Sequence, residues 1–398
     1  MRGCRLCHVS GMSSEARDAE VARSLGARAA GRLGVEDPRW GERLLFLVVL
    51  PLVLYLAWHY VQSIATSADF SQDFRVILRA AHDAVRWHSP YRIASSPTAS
   101  RAVYPPPLFL AVAPLGALPF WLARVVWLVL LACASFGALL AVGVRDIKVY
   151  VVVGLSPLLL TALWFGNPTP VLMLLVALMW RWRDRSRLVA LAIAAAASIK
   201  LWPAVMVVWL IATGRRRAAI ETVVATALLL ALSWAVIGFA GLRAYPSTVR
   251  TDVHDFARLN VFVVGLALAH SHSLGVATFV GILVGVLLLV LALLSGNDEL
   301  AFGLSILAGL SAATIVWDHY LIILFVPIAI AAPRFSSRWL WVIALGAGTW
   351  FYAHPISIDI GWHTFNLTIP DYYVIIALTL AIAWARWDQP RSPTSHHA

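Results

Sequence analysis

The sequence predicts an all-α polytopic membrane protein, and three observations carry that reading. Hydrophobic residues make up 61% of the 398-residue chain and charged residues 13%, with a mean hydropathy of +0.80. Soluble domains run at about 45–50% apolar and about 25% charged, and a chain of this size has too much surface to cover with so few polar residues. The apolar residues also fall in runs long enough for the ~30 Å hydrocarbon core. Between those runs sit short basic clusters: Arg181, Arg183, Arg185 and Arg187; Arg215, Arg216 and Arg217; Arg334 with Arg338; and Arg386. That is the positive-inside pattern, so the formal charge of +11 concerns orientation. A cytoplasmic enzyme, a nucleic-acid-binding protein and a disordered chain are excluded.

Taken in order, residues 1–43 mix Arg with Asp and Glu and lack a continuous apolar run, which predicts a flexible cytoplasmic tail. Cys4-Arg5-Leu6-Cys7-His8 spells a haem-attachment pattern, but no export signal precedes it and a start at Met12 would delete it. With Cys133 the third cysteine, no disulfide framework is expected. The first span is Leu44 to Ile64, and the polar segment 65–104 then lies on the external face. Pro105-Pro106-Pro107 and Pro119 bracket a short apolar segment, 107–118, which is either re-entrant or a full span. A clear span follows at 121–143. Residues 149–180 read as a hairpin turning outside at Gly166-Asn167-Pro168, and 188–213 as another turning at Lys200-Leu201-Trp202-Pro203. Further spans are expected at 218–240, 274–295, 300–316, 320–332, 339–353 and 373–387. The total is about twelve, with 388–398 a cytoplasmic tail. The external connections are 241–273, 317–320 and 354–372, the last holding the sequon Asn366-Leu367-Thr368.

The first external loop holds the strongest chemical candidates. From Phe74 the apolar residues fall at Phe74, Ile77, Leu78, Ala81 and Val85, one face of a helix, with Arg75, Arg79, His82 and Arg86 opposite. That predicts an amphipathic helix lying on the outer membrane surface. Asp73 stands at its start, where the helix dipole favours a carboxylate. Two readings stay open there: a general base for a sugar hydroxyl, or a first-turn acid without chemistry.

Lys200 interrupts the otherwise uncharged run from Ala194 to Trp209 and is followed by a helix-breaking proline. An ammonium there is placed to hold a phosphate, with snorkelling to headgroups as the alternative. Asp318-His319 lies between two apolar runs beside Trp317 and Tyr320. A carboxylate next to a histidine suits anion binding or proton transfer, and an interfacial turn with belt aromatics is the alternative. Asp252, His254 and Asp255 spell a weak metal-ligand pattern on one loop, for which solvent exposure is the preferred reading. No D-x-D, no phosphate-binding G-x-x-x-x-G-K-[ST] and no G-x-G-x-x-G occurs, so no nucleotide, metal or other cofactor is expected.

Asp73-Phe74-Arg75-Val76, Ala80-Ala81, Ser89-Pro90-Tyr91 and Val103-Tyr104-Pro105-Pro106 together resemble the first external loop of glycosyltransferase family 87. Gly166-Asn167 resembles that family's Gly-Gln step, Ile199-Lys200-Leu201-Trp202-Pro203 its Lys-Pro hairpin, and Trp317-Asp318-His319-Tyr320 its Trp-x-His-His loop. The likeness runs through residues 44–335 in the same order. Asn167 replaces the usual Gln, Tyr320 the second His, and Trp87-His88 stands where a Gly is common.

The resemblance implies a GT-C fold and a polyprenol-phosphate-mannose-dependent mannosyltransferase of the kind found in actinobacteria, acting on a glycolipid or polysaccharide of the cell envelope. It implies that Asp73, with Asp69 as fallback, deprotonates the acceptor hydroxyl, which attacks the anomeric carbon with inversion. Lys200 and His319, with Arg75, would hold the departing phosphate, and Tyr104, Asn167 and Asp318 would touch substrate. The rival is a non-enzymatic flippase or transporter of lipid-linked sugars, whose mark would be inverted repeats and charges at the bilayer midplane.

Overall fold

Apolar runs broken by proline and glycine leave the chain little choice but to close its backbone hydrogen bonds within helices. The computed structural model describes residues 38–65, 70–91, 101–348, 356–360, 363–367 and 369–387. The chain divides into two units, Met1–Val48 and Val49–Ala398. Of the first, only the opening turns of helix α1 (Pro38–Ala65) are described, and α1 starts earlier than the expected Leu44. Cys4, Cys7, Met12, the rest of the expected N-terminal tail and the tail 388–398 lie outside the described residues.

The amphipathic segment forms helix α2 (Gln72–Val85), burying Phe74, Ile77, Leu78, Ala80, Ala81 and Ala84. Two details correct the sequence reading. Val85 is 54% exposed, and the apolar face is covered by protein rather than lipid. It packs against helix α3 (Pro106–Val112) and the 3-10 turn Ala113–Ala117, with His82 Nε2 3.3 Å from the Gly116 carbonyl. The stretch Pro106–Ala117 is too short to cross ~30 Å at about 1.5–2 Å per residue.

Helix α4 (Phe120–Ala141) is followed by α5 (Ile147–Gly154) and α6 (Pro157–Phe165), which are bent by 58°. Helices α7 (Thr169–Arg181) and α8 (Ser186–Ile199) come next, then a 3-10 turn Trp202–Val205, α9 (Met206–Ala212) and α10 (Arg216–Val236). The segment 241–273, expected as a plain connection, forms α11 (Tyr245–Phe256), a 3-10 turn Ala257–Leu259 and α12 (Val263–Ser271). Helices α13 (Leu274–Leu294) and α14 (Asp298–Ala312) then pack closely. A Cβ at Gly285 would sit 2.9 Å from the Ala308 carbonyl oxygen, so glycine is what lets the two backbones approach. The 3-10 helix Asp318–Leu324 runs into α15 (Phe325–Ala331), and α16 (Leu340–Ala347) follows. An antiparallel hairpin of β1 (Ile356–Ile360) and β2 (His363–Leu367) precedes α17 (Ile369–Trp387).

Among the described residues, α4, α10 and α13 are long and apolar enough to cross a membrane, and the bent pair α5–α6 makes a fourth if taken as one span. Apolar stretches of 10–17 residues, such as Thr169–Arg181 and Ser186–Ile199, are shorter, and the expected count of about twelve would need them too. Helix α13 leaves Phe279, Leu283, Leu287 and Leu294 exposed, an apolar strip that water would not tolerate and lipid would. This is a mostly helical membrane protein.

Candidate active site

The site is built where the start of α2 meets the turn between α6 and α7. Ser71, in the left-handed region at φ 61°, gives its N–H to the Trp164 carbonyl at 2.8 Å and opens α2. Phe74 is fully buried, stacked on Trp127 at 5.6 Å between centroids, and Trp127 Nε1 donates to the Gly166 carbonyl at 2.8 Å. Gly166 caps α6 at φ 65°, and a Cβ there would meet the Phe74 Cβ at 2.8 Å. Only glycine suits both the dihedral and the contact. The result sets Asp73, one residue before Phe74, against Asn167, one residue after Gly166.

Asn167 is buried, and its neighbours fix its orientation. Thr169 donates from its backbone N (3.0 Å) and from Oγ1 (2.6 Å) to Asn167 Oδ1. Nδ2 must therefore face the other way, where it donates to Asp73 Oδ2 at 2.5 Å and lies 3.4 Å from the Tyr104 hydroxyl.

Helix α8 ends at Lys200, whose extended backbone (φ −141°, ψ 141°) leads into the Trp202-Pro203 turn. Its Nζ stands 3.3 Å from the Tyr320 ring centroid and 5.6 Å from that of Tyr104, so two aromatic faces hold the ammonium. The 3-10 helix starting at Asp318 presents His319 beside them. Asp318 Oδ1 accepts the His319 backbone N–H at 2.7 Å and lies 3.3 Å from His319 Nδ1. His319 Nε2 is buried and has no hydrogen-bond partner among the described residues.

Asp73, Asn167, Lys200, Tyr104, Asp318 and His319 thus line one cavity of about 950 Å³. Burial pushes the Asp73 carboxyl above the ordinary carboxylate value, while His319, the Asn167 hydrogen bond and Lys200 pull it back. The chemistry available is that of a carboxylate held by one amide and facing an ammonium and an imidazole.

One expected site residue is not brought in. Arg75 is exposed on the outer face of α2, its guanidinium 5.6 Å from the Phe120 ring centroid, because the helix turns it away from Asp73. Asp69 lies outside the described residues.

Two others were missed from sequence. Asp252, for which exposure was expected, is 9% exposed and lines the cavity, as does Arg101, which is 8% exposed. Arg101 Nη1 pairs with Asp255 Oδ2 at 2.8 Å. Burial lifts Asp252 to about 6 despite the pull of Arg101 and Lys200, with Asp255 and Asp73 adding to the rise. A signal for Asp252 was present. Tyr245, Val249, Asp252, Val253 and Phe256 fall at helical spacing, and all five line the cavity, so one carboxylate stood on an otherwise apolar or aromatic face. Asp252, His254 and Asp255 do not converge on a metal: His254 is exposed beside Asp255, and Asp252 faces the cavity.

The segment that follows α11 is tied to the stretch of chain leading into the His319 loop by one side-chain and one backbone hydrogen bond. Asn260 Nδ2 donates to the Ala313 carbonyl at 3.1 Å and its Oδ1 accepts from Phe262 N at 2.7 Å. Val261 N donates to the Val316 carbonyl at 2.8 Å.

A family model described as glycosyltransferase family 87 matches residues 102–316, more than half of the chain. The match covers Tyr104, Asn167, Lys200 and Asp252, and ends just before Trp317. No curated protein and no solved structure matches the chain significantly.

Proposed function

The chain belongs to glycosyltransferase family 87, and from that premise we propose that it moves a sugar, most simply mannose, from a polyprenyl-phosphate carrier to a glycolipid or polysaccharide acceptor. A glycosyltransferase needs a sugar donor and an acceptor, and the membrane setting favours a donor that is itself a lipid. A lipid-anchored glycosyl phosphodiester needs no nucleotide-binding domain. Under this reading the fold is of GT-C type with about twelve spans. Both tails are cytoplasmic, the cavity opens on the external face, and no cofactor or metal takes part.

In the proposed step Asp73 takes the proton of the acceptor hydroxyl. The oxygen attacks the anomeric carbon from the face opposite the phosphate, and the new glycosidic bond forms with inversion. The bond from that carbon to the phosphate oxygen breaks, and its electron pair leaves with polyprenyl phosphate. Lys200 and a proton on His319 Nε2 would stabilise the charge that grows there. Tyr104, Asn167 and Asp318 orient these groups. The observation that carries the reading is the convergence of Asp73, Lys200 and His319 on one cavity.

The test is a transfer assay on the full chain in detergent or nanodiscs, with labelled polyprenyl-phospho-mannose and a mannosylated glycolipid. A new glycoside and free polyprenyl phosphate are expected, and Asp73→Asn should lower turnover by about 10²–10⁴-fold. Full activity in that variant overturns the base assignment. Donor translocation without any glycoside would favour a lipid-linked-sugar transporter instead.

A further inference from the structure

The cavity is larger than its chemistry requires. Part of its wall belongs to α11, and that part carries groups for which the proposed step has no use. Asp252, Val253 and Phe256 share one face of that helix and all line the cavity. Trp317 lines it too, its ring centroid 6.1 Å from that of Phe256. Beside Asp252 lies Arg101, nine-tenths buried, with one nitrogen on Asp255. Its Nε is buried and without a hydrogen-bond partner among the described residues.

A carboxylate and a guanidinium are a costly pair to bury for stability alone, and leaving one guanidinium donor unpaired adds to the cost. The composition matches another purpose. A carboxylate accepts from one hydroxyl, a guanidinium donates to its neighbour, and aromatic faces cover the C–H side of a ring. Position narrows the choice of sugar. Asp73, Lys200 and Asp252 line the same cavity, so both carboxylates share it with the ammonium assigned to the donor phosphate. A sugar attached to that phosphate would lie in the cavity that Asp252 and Arg101 line.

We infer that Asp252 and Arg101 form a hydroxyl-reading subsite for the sugar carried by the lipid donor, with Phe256 and Trp317 as its apolar wall. The inference rests on the reading of the cavity as a lipid-phosphate glycosyltransferase site. It assigns to α11 the choice of sugar, and to α2 and the end of α8 the choice of reaction.

Two ligands separate these roles: polyprenyl phosphate, which has no sugar, and polyprenyl-phospho-mannose. Their equilibrium binding to the full chain is measured in nanodiscs. Asp252→Asn should weaken the sugar-bearing ligand by about tenfold, the worth of one charge-assisted hydrogen bond, and leave polyprenyl phosphate within about twofold. Lys200→Met should weaken both. If Asp252→Asn weakens both ligands equally, or neither, the subsite is overturned while the proposed function stands. If the unaltered protein binds neither ligand, the parent reading fails and takes the subsite with it. Should Asp252→Asn not fold, Asp252→Glu keeps the charge beside Arg101 but moves the oxygens by a methylene. The same selective loss is expected there, and unchanged selectivity overturns the subsite.

Discussion

Asp73 and Asp298 begin from the same local plan and end in opposite roles. Each is an aspartate in the first turn of a helix, beside aromatic rings and basic side chains. Asp298 accepts from Trp209 Nε1 at 2.7 Å and from Arg215 at 3.0 and 2.8 Å, with Arg183 Nε 3.5 Å away. The cavity beside it is only about 230 Å³. Among the described residues, Asp73 has one amide partner, Asn167, and faces about 950 Å³ together with an imidazole nitrogen that has no hydrogen-bond partner. A carboxylate with its lone pairs taken up by protein donors holds helices together. One left with a single donor and an open cavity is held ready for a proton. The same contrast separates the cations: Arg215 is fixed in a fork on Asp298, while Lys200 rests on the ring faces of Tyr320 and Tyr104.

One edit applied at both places sharpens that contrast most. Asp73→Asn should lose the 10²–10⁴-fold of turnover given above, while the melting temperature stays level or rises, since burial disfavours the carboxylate it replaces. A marked fall in melting temperature would make Asp73 another structural acid. Next comes Lys200→Met, which keeps the chain length and removes the charge. Turnover should fall by about 10²-fold as phosphate stabilisation is lost, measured in single-turnover donor cleavage. A change confined to acceptor KM would break the assignment.

Asn167→Leu should cost about tenfold at neutral pH and also move the acidic limb of the pH–rate profile. Asn167 donates to the ionised form of Asp73 and lowers its pKa, so removing it raises that pKa and the limb shifts to higher pH. A limb that stays put, or moves down, means that Asp73 is not the titrating base. The smallest effect belongs to the other region. Asp298→Asn removes a charge that is 30% exposed on its side chain, and should cost about 1–2 kcal/mol. That is a fall of a few degrees in melting temperature, with turnover per folded molecule within about twofold.

Much of this was legible in the sequence, for physical reasons that differ by residue. The long spans were readable because lipid demands uninterrupted apolar length: 121–143 became Phe120–Ala141, and 274–295 became Leu274–Leu294. Asp73 stood out at the start of an amphipathic helix, Asn167 and Lys200 at hairpin turns and His319 between two apolar runs, and all four line one cavity. Helix α11 was hidden because its face is buried by a handful of cavity-lining residues on an otherwise polar segment, so no apolar run announces it. Arg101 was hidden for a different reason: it has no helical period to betray it, only a partner that is distant in sequence, Asp255. Arg75 misled because two residues along a helix, though close in sequence, are more than half a turn apart around its axis.

The strap from Asn260 and Val261 to Ala313 and Val316 bears on how this molecule can diversify. Both acceptors across it are main-chain carbonyls, so these hydrogen bonds put no demand on the side chains at 313 and 316, whereas position 260 must keep an amide that donates one way and accepts the other. Lineages that acquire a new sugar preference are therefore expected to exchange the cavity-facing positions of α11 and spare Asn260. Selectivity would then be inherited as a replaceable cassette on a fixed mounting.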